Sequence, residues 1–230
     1  MPLPILTELC RELGWPLSPE QESKFEEFLN VLYLVNETRN LTRVARDEAE
    51  VKHLCDSVLT LDMIPHGATV ADLGSGPGLP AWPLACARPD LSVLAVDGSE
   101  RMFDVMRQVP LDNLKVRQAR AEDWGVKNEF DVVVGRAIAP LAIQLELSAP
   151  AVKVGGLVIA YRTPSEQEDV QSMNIGQLGL KLEDIVIRSL PHGAGQRLFP
   201  IYQKVRESDP QYPRPWSKMK SKPLGSARKR

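Results

Sequence analysis

Apolar residues recur at helical spacing over the first sixty positions of the chain. A first helix is predicted to begin at Ser18 and Pro19, because serine caps helix N-termini and proline fits the first turn. Its apolar face carries Phe25, Phe28, Leu29, Leu32 and Tyr33. After a polar turn at residues 36–43, a second helix is predicted from about Asp47 to Leu61. Residues 1–62 are therefore predicted to form a small helical extension.

Short apolar runs alternate with helical stretches from Thr69 onward, which is typical of strands and helices on a parallel sheet. Five strands are predicted at residues 69–73, 91–96, 115–118, 130–134 and 157–161. Two later runs, 182–189 and 198–204, predict an antiparallel hairpin at the edge of that sheet. The pattern therefore predicts an α/β domain over residues 63–205, with a Rossmann-like, seven-stranded and mostly parallel sheet.

A glycine-rich loop follows the first predicted strand. The strand ends at Asp72-Leu73, and the run Gly74-Ser75-Gly76-Pro77-Gly78 leads into a helix, so the backbone can come close to a ligand above the sheet. The dinucleotide fingerprint G-x-G-x-x-G would need glycine where Leu79 stands. The spacing therefore favours S-adenosylmethionine over NAD as the cofactor.

Two further features fall in register with this loop. Asp97 ends the second predicted strand, where a carboxylate can accept both ribose hydroxyls of such a cofactor. Ala121 and Glu122 follow the third strand, where methyltransferases commonly place a residue beside the adenine. A purely structural alternative is that the glycines make a tight turn and Asp97 caps a helix. The combination favours a cofactor site, and a nicotinamide oxidoreductase stays open as an alternative.

The overall composition is that of a globular protein, with 43% hydrophobic and 25% charged residues. No apolar run approaches the ~20 residues that cross a bilayer, and the N-terminus lacks the pattern of a signal peptide. We therefore expect a cytoplasmic protein. Cys10, Cys55 and Cys86 are widely spaced, which predicts buried free thiols and neither a metal site nor a disulfide framework.

Charge is distributed unevenly along the chain. The formal net charge is -2, but residues 204–230 carry nine Lys and Arg against two acids, which leaves -9 on the rest. An acidic body with a basic, proline-containing tail at residues 206–230 fits a polyanionic partner such as RNA. A solvated, disordered terminus is the alternative interpretation.

The motifs of several methyltransferase mechanisms are missing. Enzymes that act on exocyclic amines carry N/D-P-P-Y/F after the fourth strand, where this chain has residues 135–140, GRAIAP. No cysteine follows proline, as a cytosine C5 enzyme would require, and His53, His66 and His192 lie in unrelated contexts. A ring nitrogen with a free lone pair, such as guanine N7, attacks a sulfonium methyl without prior deprotonation. Alignment of the reacting atoms alone can then supply the rate.

These segments together resemble one family, the bacterial small-subunit ribosomal RNA guanine-N7 methyltransferases, also called glucose-inhibited division protein B. The resemblance runs from about Phe25 to Leu224 and is carried by Asn40-Leu41-Thr42, His53 through Ser57, Gly74 through Pro80, and Arg136 through Ala139. It implies a class I S-adenosylmethionine-dependent methyltransferase fold. It also implies methyl transfer to N7 of guanine 527, in the 530 loop of 16S ribosomal RNA.

The resemblance also implies a set of site residues by matching position. The cofactor would be contacted by Gly74, Leu79, Asp97, Ala121, Glu122 and Arg136, and the loop residues Ser75, Gly76 and Gly78 complete this set. Arg136 and Arg162 would position the reacting groups, with no general base and no metal. Arg39, Arg43 and the tail are expected to join them at phosphates of 16S RNA, in the small subunit or an assembly intermediate.

Three positions depart from the family pattern, and so does the tail, which lacks the usual Gly-Thr-Pro. Met102 and Gly135 stand where a basic residue and a serine are usual, and Arg162 replaces a lysine with a different donor geometry. They leave two alternatives open: a methyltransferase for another RNA or a small molecule, and a non-catalytic RNA-binding or ribosome-assembly protein with the same fold.

Overall fold

Seven strands form one sheet within residues 2–225, the range that the computed structural model describes. They are β1 (Thr69–Leu73), β2 (Ser92–Asp97), β3 (Leu114–Gln118), β4 (Phe130–Arg136), β5 (Val152–Tyr161), β6 (Leu180–Ser189) and β7 (Gln196–Lys204). Their order is β3-β2-β1-β4-β5-β7-β6, in which β1 to β5 are parallel and β7 is antiparallel to both neighbours. The predicted α/β fold, with its antiparallel edge hairpin, is confirmed.

Helices flank this sheet and precede it. The α-helices of the described range are α1 (Pro4–Glu12), α2 (Pro19–Arg39), α3 (Asp56–Val58), α4 (Ala81–Ala87), α5 (Asp104–Gln108), α6 (Leu141–Ser148), α7 (Gln167–Ser172) and α8 (Trp216–Ser221). α2 starts as predicted, with reciprocal hydrogen bonds between Ser18 and Gln21. It continues to Arg39, so the polar turn begins at Asn40, later than the sequence pattern indicates.

The second predicted helix, from about Asp47 to Leu61, is helical but not one regular α-helix. A 3-10 turn at Arg46–Glu48 leads into a π-helix at Glu50–Cys55, and the short α3 follows. The wider π-turn changes the angular spacing of side chains, and such turns are frequent at functional sites. It allows both His53 and Asp56 to bond to residues outside the segment.

Two apolar clusters cover the two faces of the sheet. In β1, Val70 packs into the cluster that contains residues of α1, α2 and α4, and the next residue, Ala71, packs into the cluster around α6. Trp82 of α4 is fully buried and stacks on Phe28 of α2, with 4.3 Å between ring centroids. The helical extension is thus docked on the sheet through aromatic packing.

Cys10, Cys55 and Cys86 are buried free thiols, as predicted. Burial raises the pKa of Cys10 and of Cys86 to about 12, so both stay protonated at neutral pH. Among the described residues, no helix is long and apolar enough to span a bilayer.

Candidate active site

The glycine-rich loop turns at left-handed backbone positions above the carboxyl end of β1. Gly74 and Gly78 have φ of +70° and +107°, a region that residues with a Cβ rarely adopt. A Cβ on Gly74 would lie 2.8 Å from Ile138 Cγ1, and one on Gly78 would lie 2.8 Å from Met106 Cγ. Both positions therefore need glycine for backbone conformation and for space.

Asp97, at the end of β2, holds this loop through its carboxylate. Its Oδ2 accepts the Gly76 backbone N–H at 3.0 Å, and its Oδ1 accepts the Ser99 N–H at 2.9 Å. A carboxylate has about four acceptor sites. Each oxygen therefore keeps a lone pair with which it can accept a ribose hydroxyl.

A cavity of about 460 Å³ opens beside this loop and is called here the first cavity. Its lining comprises Gly74, Val96, Asp97, Gly98, Ser99, Ala119, Arg120, Ala121, Glu122, Ile138, Leu147 and Trp216. The structure thus brings four of the predicted cofactor residues together: Gly74, Asp97, Ala121 and Glu122. The other predicted loop residues, Ser75, Gly76, Gly78 and Leu79, are not in its lining.

Two buried oxygens at the loop have no hydrogen-bond partner among the described residues: Asp72 Oδ1 and Ser75 Oγ. The second Asp72 oxygen, Oδ2, accepts the N–H of Ala81 at 3.0 Å and so ties the start of α4 to β1. Burial raises the pKa of Asp72 to about 7. Because buried polar groups are nearly always hydrogen-bonded, the loop fits a ligand that brings its own donors. Asp72 is the last residue but one of β1, and it could be named from the sequence only as the end of the strand before the loop, with no role of its own.

A second cavity, of about 470 Å³, lies next to the first. Its lining comprises Val44, Lys52, His53, Asp56, Arg136, Ala137, Tyr161, Arg162, Thr163, Glu166 and Arg197. Ala137 lines the second cavity and the following residue, Ile138, lines the first. Ala137 has φ of +57°, a costly conformation for alanine that places the chain between the two cavities.

A carboxylate with two arginines stands on the wall of the second cavity. Asp56 Oδ2 accepts from Arg136 Nη1 at 3.1 Å, and Asp56 Oδ1 accepts from Arg197 Nε at 2.8 Å. The Arg136 side chain is 17% exposed, so it is paired with an acid while it faces the cavity. The two arginines and the one carboxylate together carry one net positive charge at the carboxyl end of β4.

Two titratable groups of the second cavity, His53 and Tyr161, are poor bases. His53 Nε2 lies 2.8 Å from Thr42 Oγ1, and burial together with Arg136 lowers the pKa of His53 to about 4. The Tyr161 hydroxyl donates to the Ser57 carbonyl at 2.7 Å, and burial raises the pKa of Tyr161. Both groups are therefore neutral at pH 7.

The family model of rRNA small subunit methyltransferase G matches residues 21–195. The chain belongs to this family. A relative of that name from Lactobacillus delbrueckii subsp. bulgaricus is 32% identical, and the alignment covers 96% of this chain and 98% of the relative. One from Lachnoclostridium phytofermentans is 34% identical, with coverage of 93% and 94%.

Solved structures of other methyltransferases share the fold at low identity. M. jannaschii TYW2 in complex with AdoMet superposes with a TM-score of 0.53 at 15% identity, covering 66% of this chain and 75% of that one. A TehB-like SAM-dependent methyltransferase from Corynebacterium glutamicum gives 0.52 at 18%, covering 76% and 98%. The class I methyltransferase fold is confirmed, and S-adenosylmethionine is the cofactor of this family member, as predicted. The nicotinamide alternative is set aside.

Arg162, which is expected from the sequence at an RNA phosphate, contacts other groups of the protein. Its side chain is buried, and Nη2 donates to the Ala139 carbonyl at 2.9 Å and to the Gln144 side chain. Its Nη1 lies 3.6 Å from Glu166, and burial lowers the pKa of Arg162. In this arrangement Arg162 holds the segment after β4 against β5, at the wall of the second cavity.

The remaining basic positions lie outside both cavity linings. Arg39 is paired with Asp104, with 3.3 Å between Nη2 and Oδ2, and Arg43 is exposed just beyond α2. The predicted tail is ordered against the domain through residue 225, since Tyr212 and Met219 are buried. Residues 226–230, which include three basic residues of the predicted tail, lie outside the described residues.

Proposed function

We propose that this protein transfers the methyl group of S-adenosylmethionine to N7 of a guanine in the RNA of the small ribosomal subunit, guanine 527 of the 530 loop in 16S RNA. The relatives' shared name supports a small-subunit RNA substrate. The second cavity supports guanine N7 as the acceptor of the methyl group, because neither of its acids is available to remove a proton. Asp56 is engaged by Arg136 and Arg197, and Glu166 by Arg162.

Such a cavity favours a nucleophile that needs no deprotonation. Bound S-adenosylmethionine supplies an electrophilic methyl on a sulfonium. His53, with a pKa of about 4, is neutral but too weakly basic to gain much from general-base catalysis at pH 7. Guanine N7 carries a free lone pair, so what the protein must supply is alignment of the reacting atoms. Exocyclic amines and ribose hydroxyls would each need a proton removed.

The cations around the second cavity are proposed to hold the RNA backbone. Arg136 and Arg197 outnumber Asp56 by one charge, and Lys52, which is paired with Glu48, lies at the same wall. Sequence-specific RNA recognition uses unstacked loop bases, for which a cavity of about 470 Å³ has room. A small subunit or an assembly intermediate would be the partner, which places the reaction in the cytoplasm.

Labelled methyl transfer tests the proposal. The protein is incubated with S-adenosylmethionine carrying a labelled methyl group and with deproteinised 16S RNA, whole small subunits or a tRNA pool, and the modified base is identified by mass spectrometry. We expect 7-methylguanine in the 530 loop. Methylation of another nucleotide or another RNA would contradict the assignment and direct attention to Met102, Gly135 and Arg162. Tight cofactor binding without methylation of any of the three would favour a non-catalytic assembly role.

A further inference from the structure

The first cavity has a wall that comes from the far end of the chain. Trp216, the first residue of α8, lines it together with Leu147 of α6 and Ile138 of the β4 turn. We infer that Trp216 forms the apolar wall against which the adenine of S-adenosylmethionine packs. The C-terminal segment 212–225 is then part of the cofactor site, and its basic character is a separate property.

A buried ion pair fixes this segment beside the cavity. The Glu146 side chain is 1% exposed and accepts three hydrogen bonds from Arg214: its backbone N–H at 2.8 Å, its Nε at 2.8 Å and its Nη2 at 2.7 Å. Bidentate arginine–carboxylate pairs are strong and restrict geometry. Arg214 stands two residues before Trp216, and Glu146 precedes Leu147 of the cavity lining, so the pair joins the two walls directly.

Apolar contacts hold the segment on both sides of Trp216. Tyr212 and Met219 are buried in the cluster around α6, and Leu224 packs partly against it. Trp216 lies between these anchors yet keeps 36% of its surface exposed, which is unusual for an aromatic residue in so well-anchored a segment. The indole of Trp216 therefore faces the first cavity, and the anchors on both sides fix its position.

The position of Trp216 fits adenine better than it fits the rest of the cofactor. Asp97, at the end of β2, would accept the ribose hydroxyls. The lining continues through Ala119 to Glu122 after the end of β3, where the base would lie. Ile138, Leu147 and Trp216 supply apolar surface to the same cavity. An aromatic face stacks on a purine whatever its polar substituents.

Cofactor affinity measured without RNA tests the inference. Calorimetric titration of the full chain with S-adenosylhomocysteine and with 5′-methylthioadenosine, which lacks the amino-acid portion, compares wild type with Trp216→Ala and Trp216→Phe. We expect Trp216→Ala to weaken both ligands by the same factor, roughly ten-fold, since base–aromatic stacking is worth about that much per base. Trp216→Phe keeps an aromatic face, so its affinity for each ligand should fall by less than about three-fold.

Ser217→Ala is the matched control, because Ser217 is exposed on the same helix and lies outside the cavity lining. It should leave both affinities unchanged. Thermal melting of each variant shows that the fold is retained. Unchanged affinity in a folded Trp216→Ala variant would overturn the inference, as would a loss confined to S-adenosylhomocysteine. Because no RNA is present, these outcomes are independent of which base the protein methylates.

Discussion

At the scale of single residues, Gly74 is the position where loop conformation and the cofactor cavity meet. We expect Gly74→Ala to lower the free energy of unfolding by about 2–4 kcal/mol, from the left-handed backbone and from the approach of the new Cβ to Ile138. Because Ile138 also lines the first cavity, cofactor affinity should fall as well. Denaturant unfolding and calorimetric titration measure the two effects.

Gly67→Ala separates backbone strain from crowding. Gly67 has φ of +68°, nearly that of Gly74, but a Cβ there would meet no atom within 4 Å. Gly67→Ala should lower the free energy of unfolding by only about 1 kcal/mol and leave cofactor affinity unchanged. Equal losses of stability and of cofactor affinity in the two variants would show that the contact with Ile138 has no importance.

His53 makes the stability of the protein depend on pH, and this effect could not be predicted from the sequence. Its folded-state pKa of about 4 lies below its ordinary value of 6.5, so the unfolded chain binds more protons between these values. Its contribution to stability is present above pH 6.5 and is lost as pH falls toward 4, by about 3 kcal/mol. Urea unfolding at pH 7 and pH 4.5 should show a smaller acid loss in His53→Gln than in wild type.

His66→Gln is the comparison for that measurement. His66 is exposed, with its Nδ1 3.8 Å from Asp90, and should leave the acid loss close to that of wild type. If His53→Gln loses as much stability as wild type between the two pH values, His53 is charged in the folded protein and the weak-base argument for the second cavity fails.

Residues of the site differ in how far the sequence reveals them. Gly74, Asp97, Ala121 and Glu122 could be predicted, because each has a local signal: a glycine spacing or a place just after a strand. The ion pair of Asp56 with Arg197 could not be predicted, since 141 residues separate the two and no local sequence pattern links them. Only the fold brings such side chains together.

At the scale of elements, the junction between α6 and the C-terminal segment depends on one ion pair. We expect Arg214→Met to lower the free energy of unfolding by about 3–5 kcal/mol, because Glu146 would be left buried without its partner. The loss is visible as a lowered Tm. Arg206→Met is the control, since Arg206 is exposed and donates to the backbone carbonyls of Glu207 and Gly176 instead of to a buried carboxylate.

Combining Arg214→Met with Glu146→Leu tests the cause of that loss. The double variant removes the uncompensated carboxylate and should recover much of the lost stability, as buried ion pairs replaced by apolar residues often do. A double variant no more stable than Arg214→Met alone would mean that the ion pair is not what holds the segment. Weakened packing of Tyr212 and Met219 would then be the cause to examine.

Elements follow the sequence pattern wherever one periodicity governs the whole segment. The apolar runs of the sheet predict all seven strands, although β5 starts at Val152, five residues before the predicted edge, because Gly155 and Gly156 interrupt the apolar run without ending the strand. The Asp47–Leu61 segment is different. Its apolar residues keep helical spacing, but His53 and Asp56 bond to distant groups and the winding changes to accommodate them.

At the scale of the whole molecule, the second cavity lies where the helical extension meets the sheet. The extension supplies His53 and Asp56, the sheet supplies Arg136 and Arg197, and Ala137 divides this cavity from the one that fits the cofactor. The methyltransferase domain and Trp216 of the C-terminal segment therefore form the first cavity, whereas the second needs the helical extension as well as the sheet. Because a shared fold does not determine function, the second cavity is where we propose that this protein recognises its substrate.

Charge on the same scale predicts how RNA binding responds to salt. Residues 204–230 are strongly basic while the rest of the chain is acidic, so RNA should approach at the face that carries the C-terminal segment. For single-stranded RNA, each phosphate that no longer meets a cationic side chain reduces the salt slope by about 0.7. We expect alanine at Lys218, Lys220 and Lys222 to lower the slope of log affinity against log salt by about 2, measured by filter binding of a 530-loop RNA.

Net charge itself must be held constant for that result to identify the contact surface. Alanine at Lys24, Lys115 and Lys181 removes an equal number of charges from α2, β3 and β6, three elements that do not belong to the C-terminal segment. This variant should keep the wild-type slope, since exposed charges beyond a Debye length of about 10 Å are screened at 0.1 M salt. Equal slopes in the two triple variants would mean that RNA responds to overall charge. The basic residues of the C-terminal segment would then have no particular role in holding it.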